Sequence, residues 1–300
     1  MAASPASPGR GSFVRDQVAA LRRIPGHEIE LFEFEPGASS YPLAALALRR
    51  RYENDEFDVV HAHFGLTAWP ALALRAPRHA VTLHGTDVRH RRSFRITSAA
   101  LPRLDLVAAV SESLASLLPD ELGEVAILPC GVAMERFRAI PRDAARLALG
   151  LDPSGPYLLF PADPARSGKR FDRARELAGD VRLLTLGQMA PDHVTLAINA
   201  ANAVLVPSEA EGYGLAVLEA LACDVPVLAT PVGIHEQALA GIAGVLCAPY
   251  ERRAWTQALA PALASADPRI PGRERAAEYS SDLMALRVLE AWTALIARPA

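Results

Sequence analysis

Along its whole length this chain changes period. Apolar runs of about four to eight residues, spaced as strands, alternate with Ala-, Leu- and Arg-rich stretches whose apolar side chains recur at helical spacing. Such a chain folds into parallel sheets covered by helices, because parallel neighbours must be joined by a long crossover and a helix is its stable form. In the first half the strand candidates are Glu28–Glu35, Phe57–Ala62, Ala80–His84, Leu106–Val110 and Val125–Leu128. Helix candidates between them are Pro42–Tyr52, Thr67–Leu74, Arg92–Leu101 and Glu112–Leu118. The turn-rich stretch Leu151-Asp152-Pro153-Ser154-Gly155-Pro156 interrupts the series and marks the expected domain boundary. A second series follows, with strands Tyr157–Phe160, Arg182–Leu186, Ala203–Val206, Val225–Ala229 and Ala243–Leu246. Its helices are Phe171–Ala178, His193–Ala201, Tyr213–Ala222, His235–Ala240 and Trp255–Ala264, and an amphipathic helix Ser281–Ile296 closes the chain. The expected organisation is an α/β domain over residues 1–150, a second over 151–280, and a final helix within 281–300 packing back on the first.

Composition removes several classes of function. At 300 residues, 51% apolar and 22% charged, the chain is long enough for two ordinary cores. A net charge of -3 gives no global positive field, so a nucleic-acid partner is not expected. The apolar stretch Ala216–Leu228 is broken by Glu219, Asp224 and Pro226, short of the ~20 residues a membrane span requires. Met1–Gly11 lacks the apolar region of a secretory signal. Cys130, Cys223 and Cys247 show no CxxC or metal-ligand spacing and cannot all pair, which fits a reducing compartment and points to the cytoplasm.

In open parallel sheets, ligands bind beyond the carboxyl ends of the strands. In the first domain that rule selects His61, His63, His84, Gly85, Asp87 and Ser111, and in the second Asp163–Lys169, Gly187 and Pro207–Leu215. Of the 31 lysine and arginine residues, a single one, Lys169, is lysine, and it falls in one of these loops. The run Glu211-Gly212-Tyr213-Gly214-Leu215 follows a buried strand and opens a helix that carries Glu219. Unpaired amides and the positive dipole end at such a helix start attract phosphate, and a carboxylate accepts both hydroxyls of a ribose diol. Glu219 lies among Leu218, Ala220, Leu221 and Ala222, where an idle charge is costly.

Glu211-Gly212-Tyr213-Gly214-Leu215 with Leu218-Glu219-Ala220-Leu221-Ala222 resembles the E-x7-E motif of the retaining glycosyltransferases of family four, whose fold is GT-B, two Rossmann-like domains facing across a cleft. The resemblance continues in Asp58-Val59-Val60-His61-Ala62-His63, Thr82-Leu83-His84-Gly85-Thr86-Asp87, Leu128-Pro129-Cys130-Gly131-Val132 and Val225-Pro226-Val227-Leu228-Ala229-Thr230. It thus runs through nearly the whole chain in the expected order.

The resemblance implies a donor that is a nucleotide-diphosphate sugar and an acceptor that is a sugar, glycolipid or small molecule; the sequence holds no Asp-x-Asp metal motif, so no metal is expected. It places Glu219 on the donor ribose, and Glu211 with Gly212, Tyr213, Gly214 and Leu215 against the donor sugar and its diphosphate. Lys169 matches the family's phosphate-holding lysine. The accompanying arginine does not align, because Pro164 stands in its place, and Arg166 is the nearest candidate, with Arg170 next. His84 matches the histidine that approaches the transferred sugar, and the catalytic set is therefore His84, Glu211 and Lys169. His61 and His63 share one face of a strand end and read as structural or acceptor-side. Only seventeen residues separate Lys169 from Gly187, so one helix–strand unit common in the family is missing. Two rivals share this fold and donor: a GT-B sugar-nucleotide epimerase and a catalytically silent sugar-nucleotide-binding relative. Arg89, Arg91, Arg92, Phe94 and Arg95 form a basic patch with an aromatic, read first as a solvated helix start and second as a weak peripheral membrane contact.

Family members open with an apolar strand, a glycine-rich loop and a helix. Here Gly9, Gly11 and Ser12 followed by Phe13–Arg22 supply the loop and the helix, and Gly11 is expected to approach the donor diphosphate. No strand precedes them, since Met1–Pro8 holds only small residues and prolines. The expectation is that about ten upstream residues rich in Val, Ile or Leu complete the first sheet.

Overall fold

The computed structural model describes residue 9 and residues 11–299, so the expectation about Met1–Pro8 lies outside the described residues. The chain divides into two compact units, one of residues 13–130 with 282–299, the other of residues 131–281 with 9, 11 and 12. The first boundary thus falls after Cys130, ahead of the turn-rich stretch at 151–156. Two buried arginines explain the difference. Arg142 donates to the carbonyls of Asn199 and Ala201 at 3.1 Å each, and Arg146 to that of Ala200 at 3.0 Å and to Asn202 Oδ1 at 2.8 Å. Their helix, Arg142–Ala148, is hydrogen-bonded into the second unit before the apparent linker is reached.

In the first unit, strands β1 (Val59–His63), β2 (Arg78–Leu83), β3 (Leu106–Ala109) and β4 (Ala126–Ile127) form a parallel sheet in the order β1-β2-β3-β4. His63 is in register with Thr82, which brings the carboxyl ends of β1 and β2 side by side. The core joins Ala20 and Leu21 of the Ser12–Arg22 helix to Ala108, Leu128 and, from the last helix, Met284, Ala285 and Val288. The anticipated strand Glu28–Glu35 is not a strand. It runs without a ladder partner, and the Ile29 carbonyl is taken by the Arg22 guanidinium at 2.9 and 2.7 Å rather than by a strand amide. Phe32 still packs against Leu48, Tyr52 and Leu74, so its apolar side chains are used although its backbone is not.

The second sheet holds β5 (Tyr157–Phe160), β6 (Arg182–Thr185), β7 (Ala203–Val206), β8 (Val227–Ala229) and β9 (Leu246–Cys247), all parallel, in the order β6-β5-β7-β8-β9. β5 and β7 are fully buried, with Leu158, Phe160, Leu205 and Leu228 packed under Trp255. Each such side chain contributes about 1.5–3 kcal/mol on burial. The edge strand is shorter and later than Ala243–Leu246, because Gly244 turns left-handed at φ +81° before the chain can extend. After β5 the chain winds to one side to form β6, and then crosses back to place β7 on the other. The loops that follow β5 and β7 therefore diverge at a topological switch point, where an open parallel sheet binds its ligand. Among the described residues no helix is long and apolar enough to cross a membrane.

Candidate active site

At that switch point the loop after β5 brings Lys169 to Glu211 in the loop after β7. The Lys169 ammonium donates to both carboxylate oxygens, at 2.6 and 2.5 Å. The loops are also tied through their backbones, since Glu209 N–H donates to the Gly168 carbonyl at 2.9 Å. Burial alone would raise the Glu211 carboxyl. The charge of Lys169, with hydrogen bonds from Lys169 and Ser208, outweighs it and holds Glu211 below the ordinary glutamate value. A small cleft beside the pair is lined by Pro161, Ala162, Ser208 and Ala216. A wider concavity at Gly155, Tyr157, Asp180 and Arg182 lies at the opposite, amino-terminal ends of β5 and β6, away from this chemistry.

Gly212, Tyr213 and Gly214 carry the chain from Glu211 into the helix Leu215–Ala222, and Gly214 has φ +115°. The Tyr213 side chain is buried and its carbonyl accepts Ile234 N–H at 2.9 Å, which clamps the turn from below. Glu219, about one turn into the helix, is partly exposed between the fully buried Leu218 and Ala220. Arg166 is exposed at the start of the single turn Ser167–Lys169, and makes no side-chain hydrogen bond or ion pair among the described residues. Arg170 is committed elsewhere, to Asp172 and to Glu209 at 2.7 Å. The loop after β8, Thr230–Ile234, is a third wall that the sequence reading passed over. The rule that selected the other loops would have found it, since it follows a parallel strand and contains Gly233.

His84 follows β2 in the first unit, and Gly11 stands at φ +72° just before the Ser12–Arg22 helix. Phe13 and Phe64, whose own centroids are 5.7 Å apart, both pack against the His84 ring with centroids at 4.7 Å. Its backbone is fixed by buried Asp87, whose carboxylate accepts the N–H groups of His84, Gly85 and Gly65 at 2.8–3.1 Å. His63 Nδ1 lies 3.0 Å from His84 Nε2, and Cys130 Sγ lies 3.9 Å from His84 Nδ1. Trp292 donates to His61 Nδ1 at 2.8 Å, so the neutral His61 ring donates from Nε2 to Thr82 Oγ1. Burial pulls His61 down to about 4, and burial with the neighbouring His61 pulls His84 down to about 3. His63, packed between them, is lowered as well, first by burial. At neutral pH all three rings are uncharged.

The family model Glycosyltransferase Family 4 matches residues 4–136, and the model Glycosyl transferases group 1 matches residues 162–265. Among solved structures, sucrose-phosphate synthase from Thermosynechococcus elongatus has a TM-score of 0.73 at 20% identity, covering 96% of this chain and 94% of its own. Anabaena HepE in complex with UDP-glucose has a TM-score of 0.71 at 14% identity, covering 98% of each chain. The fold is GT-B, and the protein is a glycosyltransferase. The chain belongs to glycosyltransferase family 4. Its similar proteins include the D-inositol 3-phosphate glycosyltransferase of Mycolicibacterium gilvum, 26% identical over 90% of this chain and 72% of that protein. The enzyme of the same name from Gordonia bronchialis is 27% identical over 76% of this chain and 63% of its own length.

Proposed function

We propose that this protein moves a sugar from a nucleotide-diphosphate sugar to an acceptor hydroxyl, with retention at the anomeric carbon and without a divalent metal. The Lys169–Glu211 pair at the β5/β7 switch point, beside the start of the Leu215–Ala222 helix, carries the reading. Breaking a glycosyl–diphosphate bond puts negative charge on the departing oxygens, and donors already aimed at that position stabilise it. Lys169 supplies a compact cation and the helix start supplies amides, the role a metal plays elsewhere. Glu219 takes the ribose diol, Glu211 faces the donor sugar, and Arg166 swings onto the diphosphate from the exposed rim. His84 stands at the transferred sugar. Retention follows when the acceptor attacks the face the diphosphate leaves, a phosphate oxygen taking the acceptor proton. One similarity supports the donor class, since HepE was solved with UDP-glucose, and the Mycolicibacterium gilvum relative, named as a glycosyltransferase, supports the transfer.

A panel of nucleotide sugars screened by thermal unfolding tests the donor, since a bound ligand stabilises by mass action. At least one is expected to raise the melting temperature, and its transfer to an acceptor should continue in excess chelator. Activity that stops in chelator and returns with magnesium or manganese would overturn the cationic account. Free nucleotide with an epimerised sugar, or binding with no turnover, would favour the rival readings.

The basic patch gains two apolar members in the structure. Arg89, Arg91, Arg92 and Arg95 are exposed, and beside them Trp69 and Ile96 are exposed and joined by a Trp69 Nε1–H to Ile96 carbonyl bond of 3.1 Å. Cations around an exposed indole suit an anionic bilayer surface, so this face is part of the proposal as a peripheral contact. Co-sedimentation with vesicles rich in anionic lipid should fall steeply with salt and with Arg91→Glu/Arg95→Glu. Equal binding to neutral vesicles would count against it.

A further inference from the structure

The carboxyl ends of β1 and β2 hold a line of four side chains that neither phosphate binding nor ribose binding uses. Gln17 Nε2 stands 3.5 Å from His63 Nε2, His63 Nδ1 3.0 Å from His84 Nε2, and His84 Nδ1 3.9 Å from Cys130 Sγ. Each neutral imidazole has one N–H donor and one acceptor nitrogen. A bond between two ring nitrogens uses one proton, so the state of either ring fixes the other. The amide of Gln17 donates to His63 Nε2, which puts the His63 proton on Nδ1. That proton is given to His84 Nε2, and the remaining His84 proton sits on Nδ1, facing the sulfur.

We infer that His63 is a positioning residue, which holds His84 as the neutral Nδ1–H tautomer through its hydrogen bond to His84 Nε2. The inference rests on the reading that places His84 at the transferred sugar, but its first test does not. With its Nε2 lone pair occupied, His84 cannot take the acceptor proton there, and that proton is left to the donor phosphate. The surroundings hold the arrangement in place. Asp87 fixes the His84 backbone, Phe13 and Phe64 together pack against its ring, and His61 stacks parallel to His63 at 5.0 Å while bonding to Trp292 and Thr82 instead.

The test is long-range proton–nitrogen NMR on the full chain with isotope-labelled histidine, the His84 signal being assigned by its loss in His84→Gln. Wild type should show His84 protonated at Nδ1 alone. In His63→Phe, which keeps a ring but no donor, His84 should move toward the Nε2–H form that free imidazole favours. In His63→Gln, whose amide can still donate, it should stay at Nδ1–H. A wild-type His84 carrying its proton on Nε2, or a His84 tautomer unmoved in His63→Phe, would overturn the inference. With an identified donor, kcat should fall roughly 10-fold in His63→Phe and recover in His63→Gln, as for other partners that orient a functional histidine. The donor KM should stay unchanged, because ground-state binding is untouched. A tautomer that shifts while kcat holds would support the positioning and count against the placement of His84 at the sugar.

Discussion

Replacing Lys169 by alanine is expected to lower the rate of sugar transfer ~100-fold or more, since one donor aimed at developing charge is typically worth ~2.7–4 kcal/mol. The ammonium is held by both oxygens of Glu211 at 2.6 and 2.5 Å, so its position is set before the donor arrives. That preorganisation is what makes it worth more than a lysine at the surface. Lys169→Arg should recover only part of the rate, because a planar guanidinium cannot take up the place of a compact ammonium in a cleft this small. Alanine has a second effect, on Glu211. The folded carboxyl lies below its ordinary value, so its contribution to stability is present at neutral pH and is lost as pH falls through the lowered value. Without Lys169 burial dominates and the carboxyl titrates higher than in the unfolded chain, so the contribution of Glu211 reverses sign: the variant should lose stability at neutral pH and recover part of that loss as the carboxyl protonates, which flattens its acid limb. Single-turnover rates and acid unfolding on the same preparations read both. Wild-type turnover in Lys169→Ala would remove the cation from the mechanism.

Lys169 was legible because it is the chain's one ammonium and follows a strand; its partnership with Glu211 was not. Forty-two positions separate the two residues, and they meet only because β7 crosses back beside β5. Strand order is a property of the assembled sheet, and nothing in a local apolar period encodes it. Where the local pattern decides, the reading matched the structure to the residue, as at Tyr157–Phe160, Phe171–Ala178, Ala203–Val206 and Ser281–Ile296. The two strands bury every side chain, and the two helices one face, against neighbours that are themselves present. Glu28–Glu35 alternates glutamate with apolar residues and pairs with no strand among the described residues, so its carbonyl at Ile29 turns to Arg22. The division after Cys130 was hidden for a related reason: proline and glycine at 151–156 announce a turn, but the side chains that bind the preceding helix to the second unit are arginines, which a sequence reading assigns to the surface. Arg142 is 2% exposed. The line from Gln17 to Cys130 was invisible for the same reason as the lysine–glutamate pair, since its members come from a helix, two strand ends and a later loop.

Gly233→Ala is expected to be the most damaging of the small substitutions. The residue sits at φ +61°, and a Cβ there would lie 2.2 Å from the Tyr213 carbonyl oxygen and 3.1 Å from Glu211 Cβ. Neither neighbour can yield cheaply. The Tyr213 carbonyl already accepts Ile234 N–H at 2.9 Å, and Tyr213 is the residue that turns the chain from Glu211 into the helix start. A left-handed non-glycine residue costs about 1–2 kcal/mol, and forcing an extra methyl into packed backbone adds about 1–3 kcal/mol. Together these predict a loss of about 3 kcal/mol in denaturant unfolding. Transfer per folded molecule should drop further than stability implies, because a displacement of about 1 Å at a positioned group can cost ~100-fold in rate. Gly241 separates the two causes. It is also left-handed, at φ +75°, but an added Cβ there meets nothing within 4 Å. Gly241→Ala should therefore lose only the backbone portion, about 1–2 kcal/mol, and keep wild-type transfer. Should the two variants prove equally stable and equally active, the loop after β8 would have no part in holding Glu211, and the donor site would be built from the loops after β5 and β7 alone.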